Sequence, residues 1–413
     1  MTQRLYYHAP NLYEFDSIVD EVIAPSGEES RVGVILRETA FYPTSGGQVH
    51  DTGWLVAAPD GLIRVAETAE AEDDHNRIVH YLETTTAIAA GATVHGTIDR
   101  ERRRDHMQQH SGQHVLSAVF VELYKMETVS FHMGDLYCSI DLATESLSAD
   151  QLLAAEKRAN QIVFENRPVQ IQFVSRQKAE KLGLRKLPPA DRNELRLIEI
   201  ADFDLSACGG THVGATGQIG SILLRKTEKA RQGTRVEFVC GERAVRMARR
   251  DFSALSEAAA LFSAQLWDVP EQIRKSLEDS KLMRKQKDDV LDQVAELMAV
   301  ADLRDRTESN GRKIVVRVFS DRDIAFAKLF AQKATRAGTP VIALVASTVD
   351  PPGLVFAQTS GGSADMGDLL KQVLSPVGGR GGGSRDFAQG GVPAGSHIKV
   401  EQLLQQAAGT IGA

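Results

Sequence analysis

Short apolar stretches alternate with turn-forming residues over about the first 95 positions, which predicts a β-rich segment. Residues 31–36 and 77–82 are the clearest strands in this pattern. Between them lies the segment 41–48, in which Gly46 and Gly47 permit positive φ angles and close backbone approach. A glycine pair suits either a tight turn in a small barrel or a loop that admits another molecule to the main chain. The turn is the favoured interpretation.

The pattern changes to a helical period after residue 100. A helix is predicted from apolar positions three or four residues apart, namely Met107, Leu116, Val119, Phe120 and Leu123. Beyond it, the pattern predicts strands at 131–142, 169–174 and 195–200, a helix at 152–164, and a closing β-ribbon from 219–224 and 235–239. This mixture predicts an α+β domain that follows the barrel.

Helix-forming residues dominate from residue 242 to about residue 310. From 271 to 307, apolar positions recur at steps of three or four with charges between them. A helix of that length would reach about 55 Å at 1.5 Å per residue. We therefore expect a long helical rod or a helical hairpin, with the charges forming a solvated face.

The last hundred residues predict a separate α/β domain. Residues 313–318 and 340–345 are buried strands in the pattern, and a helical segment at 324–337 lies between them, as in a βαβ crossover. A third strand is predicted at 355–356. The glycine-dense segment 378–385 suits either a loop that accepts a phosphate on its backbone amides or a flexible connector. Its spacing matches neither the nucleoside-triphosphate loop nor the dinucleotide fingerprint.

Together these patterns predict an α+β multidomain fold. We place a small N-terminal β-barrel at 1–95, an α+β domain at 96–250, a helical rod or coiled segment at 251–310 and a C-terminal α/β domain at 311–413. A chain of 413 residues exceeds one ordinary core. The net charge of −7 shows no global nucleic-acid footprint, so any contact with RNA would depend on local basic patches.

Composition also bears on location. Three cysteines over 413 residues do not make a disulfide framework. The first residues are not followed by a long apolar run, as a signal peptide would require. The longest apolar run, at 341–349, is too short to cross a bilayer. We expect a reduced, cytoplasmic protein that does not associate with membranes.

Two pairs of metal-binding residue types have the same spacing. His110 and His114 are four residues apart on the predicted helix, so they project from one side of it. Cys208 and His212 bracket two glycines that let the backbone curl round a cation. The first pair alone could equally be two partly exposed helix histidines. With the second pair, a tetrahedral zinc site becomes the favoured interpretation. Ser111 stands where a metalloprotease has its glutamate base, which disfavours that class.

The number of ligands leaves the role of the zinc open. Four protein ligands are typical of structural zinc, whereas catalytic zinc keeps a position open. The site could expand to a fifth ligand, His212 could be loosely held, or zinc could orient the substrate beside an activated water. His106 and His132 fit the ligand set less well. The side chains that could position the water or an ester are Thr44, Gln48, Ser111, Gln113 and Thr211.

These motifs resemble a known family. The two ligand motifs, at 110–114 and 208–213, together with residues 216–220, resemble the editing domain of alanyl-tRNA synthetase and the free-standing alanyl-tRNA editing proteins of the AlaX type. Residues 41–48 and 51–53 resemble the small barrel that precedes this domain. The segment 378–389 is similar to the C-terminal domain of the synthetase. The barrel begins at the N-terminus with no aminoacylation core before it, so we expect the long, free-standing form.

The resemblance implies a trans-editing hydrolase that cleaves the 3′-terminal aminoacyl ester of tRNA(Ala) wrongly charged with serine, and possibly glycine. Carried over by position, the ligands of one zinc ion per chain are His110, His114, Cys208 and His212. The family often has threonine in place of Ser111, and the hydroxyl group is kept here. The family separates serine from alanine with a hydroxyl group in the pocket, for which Thr44 and Thr211 are candidates. Backbone amides near residues 209–210 could stabilise the oxyanion.

The implied partner is mischarged tRNA(Ala). A homodimer through the helical and C-terminal region is suggested by analogy. ATP binding is implied only at the level of the wider family. Two other functions stay open, namely a non-catalytic tRNA-binding protein with structural zinc and a deacylase for a different mischarged tRNA. The basic residues expected to contact tRNA phosphates are Arg100, Arg102, Arg103, Arg104, Arg225, Lys226, Arg231 and Arg235.

Overall fold

The structure is a computed structural model. It describes residues 1–25, 31–57, 61–83, 88–182, 184, 194–231, 233–308, 311–393 and 398–412. The chain divides into two compact units, Met1–Glu257 and Ala258–Ala413. The finer division into four domains stays a prediction, and its boundary at residue 310 lies outside the described residues.

The first unit begins with a closed, antiparallel barrel. The strands of this part of the chain are β1 (Gln3–Arg4), β2 (Glu14–Ile23), β3 (Val32–Leu36), β4 (Glu38–Thr39), β5 (Gly53–Ala57), β6 (Gly61–Glu70), β7 (Ile78–Leu82) and β8 (Thr93–Ile98). The barrel closes in the order β2-β3-β7-β6-β5-β8, and β1 pairs with β4 in parallel. Strand β5 illustrates the alternation, because Leu55 is buried while Trp54 and Val56 are exposed. The predicted barrel is confirmed.

The rest of the first unit packs helices on antiparallel sheets. Its elements are α1 (Arg100–Tyr124), β9 (Thr128–Met133), β10 (Cys138–Leu142), α2 (Ala149–Phe164), β11 (Val169–Ser175), α3 (Arg176–Glu180), β12 (Glu194–Ile200), β13 (Asp204–Ala207), β14 (Ile222–Ala230), β15 (Gly233–Cys240) and α4 (Gly241–Leu261), the last of which crosses the division between the units. The sheets have the orders β14-β15-β10-β9 and β11-β12-β13. The strand-like alternation predicted at 131–142 falls on the antiparallel pair of β9 and β10.

Helix α1 is the central element of this half. It begins at Asp99, whose carboxylate accepts a hydrogen bond from the backbone N–H of Arg102 at 3.2 Å. Val115, Leu116, Val119 and Phe120 are buried in the core that α1 shares with β9, β10, α2 and β15. Of the predicted apolar positions, Met107, Leu116, Val119 and Phe120 lie in this core, whereas Leu123 is 40% exposed.

The N-terminal part of α1 is tied to the barrel by a buried ion pair. The Arg103 side chain is fully buried, and its Nε lies 3.0 and 3.1 Å from the two carboxylate oxygens of Asp51. Its two terminal nitrogens donate to the backbone oxygens of Pro10 at 2.7 Å and Ala40 at 2.6 Å. These bonds pair the buried guanidinium with a carboxylate and two backbone oxygens. They also connect the helix to three segments of the barrel.

The second unit contains α5 (Val269–Arg304), β16 (Lys313–Phe319), α6 (Ile324–Thr335), β17 (Val341–Ser347), β18 (Gly353–Gln358), α7 (Met366–Leu374), β19 (Arg380–Gly383), β20 (Phe387–Gly391) and α8 (Val400–Thr410). The sheet order is β16-β17-β18-β20-β19. Strands β16 and β17 are parallel with α6 between them in sequence, as the βαβ pattern predicts. Helix α5 is continuous through the segment for which a rod or hairpin is expected, and its C-terminal part packs on α6.

The glycine-dense segment near the C-terminus is regular structure. Residues Arg380–Gly383 form the edge strand β19, which pairs antiparallel with β20. The interpretation as a flexible connector is therefore wrong, and the backbone is extended rather than curled into a phosphate-binding loop. Within the described ranges, no helix is both long and apolar enough to cross a membrane.

Removing the buried guanidinium tests the tie between α1 and the barrel. Arg103→Ala should lower the free energy of unfolding by about 3–5 kcal/mol, because it leaves the buried Asp51 carboxylate unpaired. Urea unfolding followed by the fluorescence of Trp54, in a Trp267→Phe background, reports on the barrel half.

Arg100→Ala is the matched control on the same helix. It breaks an exposed pair with Glu14 at 2.9 Å and should change the free energy of unfolding by less than about 1 kcal/mol. Equal losses for the two variants would contradict the anchoring role of Arg103.

Candidate metal centre

Four side chains from the two sequence motifs meet at one point. His110 and His114 come from α1, and Cys208 and His212 come from the loop that follows β13. Their candidate ligand atoms all lie within 4.8 Å of one another. The three histidines are buried and Cys208 is half-buried. The set predicted from spacing alone is thus the set that the fold brings together.

The loop that carries Cys208 is shaped by a buried arginine. Arg196 on β12 donates hydrogen bonds to the backbone oxygens of Cys208 at 2.7 Å and Gly210 at 2.9 Å. The loop also passes so close to α1 that a Cβ added at Gly210 would lie 2.2 Å from Cε1 of His110. Only glycine permits this approach, which explains part of the motif.

Hydrogen bonds to Nδ1 orient two of the three histidines, and a carboxylate lies near Nδ1 of the third. His110 Nδ1 donates to Gln48 Oε1 at 2.8 Å, an oxygen that also accepts from the backbone N–H of Thr211 at 3.0 Å. His212 Nδ1 lies 3.3 Å from the Ser111 hydroxyl oxygen, and His114 Nδ1 lies 3.7 Å from a carboxylate oxygen of Asp204. The Nε2 atoms of His110 and His212 lie 3.4 and 3.3 Å from Cys208 Sγ. Groups that hold Nδ1 in this way orient histidine ligands in metal sites.

The electrostatics of the cluster favour a deprotonated sulfur. Burial opposes the thiolate, but the neighbouring rings of His110 and His212 and the hydrogen bonds to Sγ outweigh it, so the pKa of Cys208 lies well below its ordinary value. For His212, burial disfavours the protonated ring and lowers its pKa to about 3. For His114, burial is outweighed by Asp204 and Cys208, which raise its pKa to about 9.

This donor set fits zinc. Three imidazole nitrogens and one thiolate are the ligand types of zinc sites, and the set has no hard oxygen donor that would favour magnesium or calcium. The hydrogen bonds to Nδ1 of His110 and His212 leave their Nε2 atoms, which already lie next to Cys208 Sγ, as the atoms that would bind the metal. The four residues would therefore hold a zinc ion.

The side chains expected to position water or substrate divide into two groups. Gln48, Ser111 and Thr211 are buried behind the ligands, where Gln48 Nε2 donates to Thr211 Oγ1 at 2.8 Å and Ser111 Oγ accepts from a backbone N–H at 3.1 Å. The structure places Thr44 at the surface against His50, at 3.0 Å, and turns Gln113 toward Ser117, at 2.8 Å. The first group supports the ligands, and the second does not touch them.

Two cavities open beside Cys208. The larger, of about 910 Å³, extends along the start of the chain and β12 and includes Arg4, Tyr7, His8, Phe173 and Arg196 in its wall. The smaller, of about 140 Å³, lies directly against His110 and Cys208. Gly209 borders both. The described surface around the cluster therefore offers an approach to Cys208 from the side of the barrel.

The predicted tRNA contacts need one correction. Arg103 is fully buried against Asp51, so its guanidinium does not reach a phosphate. Some of the others already have acidic partners, such as Arg235, which pairs with Asp141 at 2.7 Å. The surface members that stay predictions are Arg100, Arg102, Arg104, Arg225, Lys226, Arg231 and Arg235.

Several residues of the site were not identified from the sequence. Asp204 carries the carboxylate next to His114, and its position four residues before Cys208 could have suggested it. Arg196 is nearly buried and holds the ligand loop. Tyr6 and Tyr7, from a 3-10 helix at Leu5–Tyr7, reach the site from the far end of the chain, and no local pattern indicates that.

Models of protein families match three parts of the chain. Residues 10–102 match the family of tRNA synthetases class II (A). Residues 195–237, which include Cys208 and His212, match the threonyl and alanyl tRNA synthetase second additional domain. Residues 310–413 match the DHHA1 domain.

Individual proteins are similar to the chain over different shares of their length. The chain is 29% identical to an alanine–tRNA ligase of Thermococcus kodakarensis over 418 residues, which is 100% of this chain but only 44% of the ligase. It also resembles the C-Ala domain from Aquifex aeolicus alanyl-tRNA synthetase over 25% of this chain and 96% of that domain, with 18% identity and a TM-score of 0.22. It is 30% identical over 410 residues to the alanyl-tRNA editing protein AlaX-L of Pyrococcus horikoshii, with 98% of both chains covered. The chain therefore belongs to the family of AlaX-type alanyl-tRNA editing proteins, as its motifs predict.

Proposed function

We propose that the chain is a trans-acting hydrolase that removes serine or glycine from wrongly charged tRNA(Ala). The observation that carries this proposal is the convergence of His110, His114, Cys208 and His212 beside a cavity, in a chain of the alanyl-tRNA editing family. Residues 195–237, which contain two of these ligands, lie within a domain shared with threonyl and alanyl tRNA synthetases. The names of the chain's relatives support tRNA(Ala) as the partner.

The two cavities suit the two parts of an aminoacyl ester. The aminoacyl group enters the cavity of about 140 Å³ that His110 and Cys208 border. The terminal adenosine lies in the larger cavity, where the rings of His8 and Phe173 stack with centroids 4.7 Å apart and offer a surface for a base. The ester carbonyl then lies next to Gly209, at the border between the cavities.

Hydrolysis requires stabilisation of the negative charge that develops on the carbonyl oxygen. Water adds to the carbonyl carbon, the bond to the ribose oxygen breaks, and a proton of the water passes to that oxygen. Zinc, when bound, supplies a Lewis acid that can polarise the carbonyl or lower the pKa of a water molecule. Arg196 is nearly buried, so its guanidinium adds a positive charge in a poorly solvated wall. The N–H of Gly210 already donates to Cys208 Sγ at 3.4 Å, which leaves the N–H of Gly209 as the backbone candidate for the oxyanion.

A second candidate is a tRNA-binding protein in which zinc is structural. The four-residue ligand set favours it, because structural zinc commonly has four protein ligands. This candidate and the hydrolase make opposite predictions for turnover, and the same assay separates them.

Deacylation assays test the proposed reaction. The zinc-loaded chain should release serine from Ser-tRNA(Ala), and Cys208→Ala should reduce kcat/KM by about 100-fold or more, because it removes a ligand of the cluster. Cys138→Ala is the matched control, since Cys138 is a buried thiol outside the cluster and should keep near-normal activity.

The panel of substrates distinguishes the candidates. Absence of turnover on both Ser-tRNA(Ala) and Gly-tRNA(Ala) would refute the hydrolase. If tRNA binding persists and zinc removal unfolds the protein, the structural role is supported. Preferred turnover of a different mischarged tRNA would indicate a deacylase for that tRNA.

The affinity for zinc should depend on pH through His114. Below its pKa of about 9 this ring carries a proton that a metal must displace, so the association constant should rise about tenfold per pH unit from pH 6 to pH 9 and then level off. The low pKa of Cys208 and the pKa of His212 of about 3 add no further proton release in that range. Competition with a chromophoric chelator measures the constant.

Asp204→Asn provides the control for this assignment. It removes the carboxylate that helps raise the pKa of His114, so the rise in zinc affinity should level off at a lower pH than in the wild type. The maximal affinity should fall about 10- to 100-fold, because the ring loses its orienting partner. An unchanged pH profile would show that Asp204 does not control this proton.

A further inference from the structure

A groove on the first unit lies apart from the metal cluster. Its volume is about 450 Å³, within the range of about 300–1,000 Å³ that is typical of small-molecule sites. The β9–β10 turn, β14, β15 and α4 form its walls. None of its described lining residues belongs to the metal cluster or lines either cavity beside Cys208. Its ligand is therefore independent of the proposed reaction.

A bulge in β14 supplies a cationic wall of the groove. The register between β14 and β15 shifts between Leu224 and Thr227, so Arg225 and Lys226 both lie opposite the single residue Glu237. In a regular strand two consecutive side chains point to opposite faces, but a bulge changes their direction, and both cations line the groove. Lys226 Nζ lies 3.2 Å from the buried carboxylate of Glu237 and balances its charge.

Helix α4 adds a third cation. Met247, Arg250 and Asp251 are three or four residues apart, so they share the helix face that lines the groove. Arg225 Nη1 lies 3.9 Å from a carboxylate oxygen of Asp251, which is a long ion pair. Arg250 is exposed and has no acidic partner within 4.0 Å among the residues that the structure describes. Its charge is therefore available to an anionic ligand.

The β9–β10 turn supplies an apolar and aromatic wall. Leu136 and Tyr137 are 62% and 42% exposed and line the groove. The turn is fixed in place, because the buried guanidinium of Arg243 donates to the backbone oxygen of Gly134 and pairs with Asp105 at 2.6 Å. The groove thus presents an accessible flat ring, held in position, across from unpaired positive charge.

We propose that this groove binds a nucleotide, with its base against Leu136 and Tyr137 and its phosphate on Arg225 and Arg250. Sites for unpaired nucleotides combine these two features, an aromatic face for the base and cations for the phosphate. An inorganic anion would use only the cations, and an apolar group would use only the turn. The nucleotide is either an unpaired one in a bound RNA or a free one, since both present the same base and phosphate.

Photocrosslinking locates the base. The full chain is irradiated with 4-thiouridine 5′-monophosphate, and the modified peptide is identified by mass spectrometry. A uracil probe is chosen because the larger cavity beside Cys208 is the site proposed for adenosine. The crosslink should fall on Leu136 or Tyr137. Uridine 5′-monophosphate should compete about ten times more effectively than uridine or inorganic phosphate, because only the nucleotide makes both contacts.

Two neighbouring arginines of α4 test the phosphate contact. Arg250→Ala should weaken the affinity for uridine 5′-monophosphate about tenfold, because it removes the cation that has no acidic partner. Arg249→Ala is the matched control, since Arg249 is also exposed but lies over the ring of Phe252 and does not line the groove. It should change the affinity by less than about twofold.

Two substitutions of Tyr137 separate stacking from apolar contact. Tyr137→Leu keeps an apolar side chain but removes the ring, so it should weaken the affinity for the nucleotide about 5- to 100-fold. Tyr137→Phe keeps the ring and should match the wild type. The side chain is exposed, so both variants should fold, and their melting temperatures check this.

Competition with RNA identifies the source of the nucleotide. If uncharged tRNA(Ala) displaces the probe and binds more weakly to Arg250→Ala than to Arg249→Ala, the groove holds a nucleotide of the tRNA. If the tRNA leaves the probe in place, the ligand is a free nucleotide, and the site is supported in either case.

Three results would overturn the site. They are crosslinks that fall only outside the groove, competition by inorganic phosphate that is as strong as competition by the nucleotide, and equal losses in Arg249→Ala and Arg250→Ala. Binding of the probe is measured without turnover, so a failure to hydrolyse Ser-tRNA(Ala) would refute the hydrolase and leave this site standing.

Discussion

The buried ion pair between Arg103 and Asp51 is the contact on which the geometry of the site depends. Arg103 lies two helical turns before His110 on α1, so it presents the same side of the helix to the barrel. Asp51 follows the turn at Ser45–Gln48, from which Gln48 reaches His110. The pair therefore holds the helix that carries the ligands against the loop that orients them. Such a pair adds little net stability over apolar packing, but it requires one arrangement of its partners.

The rest of the site extends this arrangement through hydrogen bonds. Gln48 connects the ring of His110 to the backbone of Thr211, so the two ligand motifs share one amide group. Ser111, between the histidines of α1, supports His212 from the other motif. Ser111 of the first motif therefore orients His212 of the second. Both motifs bind the same Gln48 side chain, which orients His110. This interdependence explains why Ser111 and Thr211, which lie between the ligands of the two motifs, are polar and buried, and it prepares the cluster for a metal before one binds.

The barrel contributes more than support. The short helix Leu5–Tyr7 supplies Tyr6 and Tyr7 to the wall of the cavity next to His110 and Cys208. The turn with positive φ at Gly46 and Gly47 brings Gln48 behind the ligands, as a tight hairpin turn requires. The site is therefore built from the barrel and the domain after it.

The sequence by itself determined the elements and the ligands, since both depend on short-range spacing. Helical and strand periods located α1, β12 and the β16–α6–β17 unit, and a spacing of four placed His110 and His114 on one helix face. Only the tertiary structure decided which polar side chains face the cluster. Arg103 stands in a basic run and is nevertheless buried, whereas Tyr6 stands more than one hundred residues before His110 and borders the same cavity. Burial and pairing are set by contacts between distant segments, and a local pattern carries no information about them.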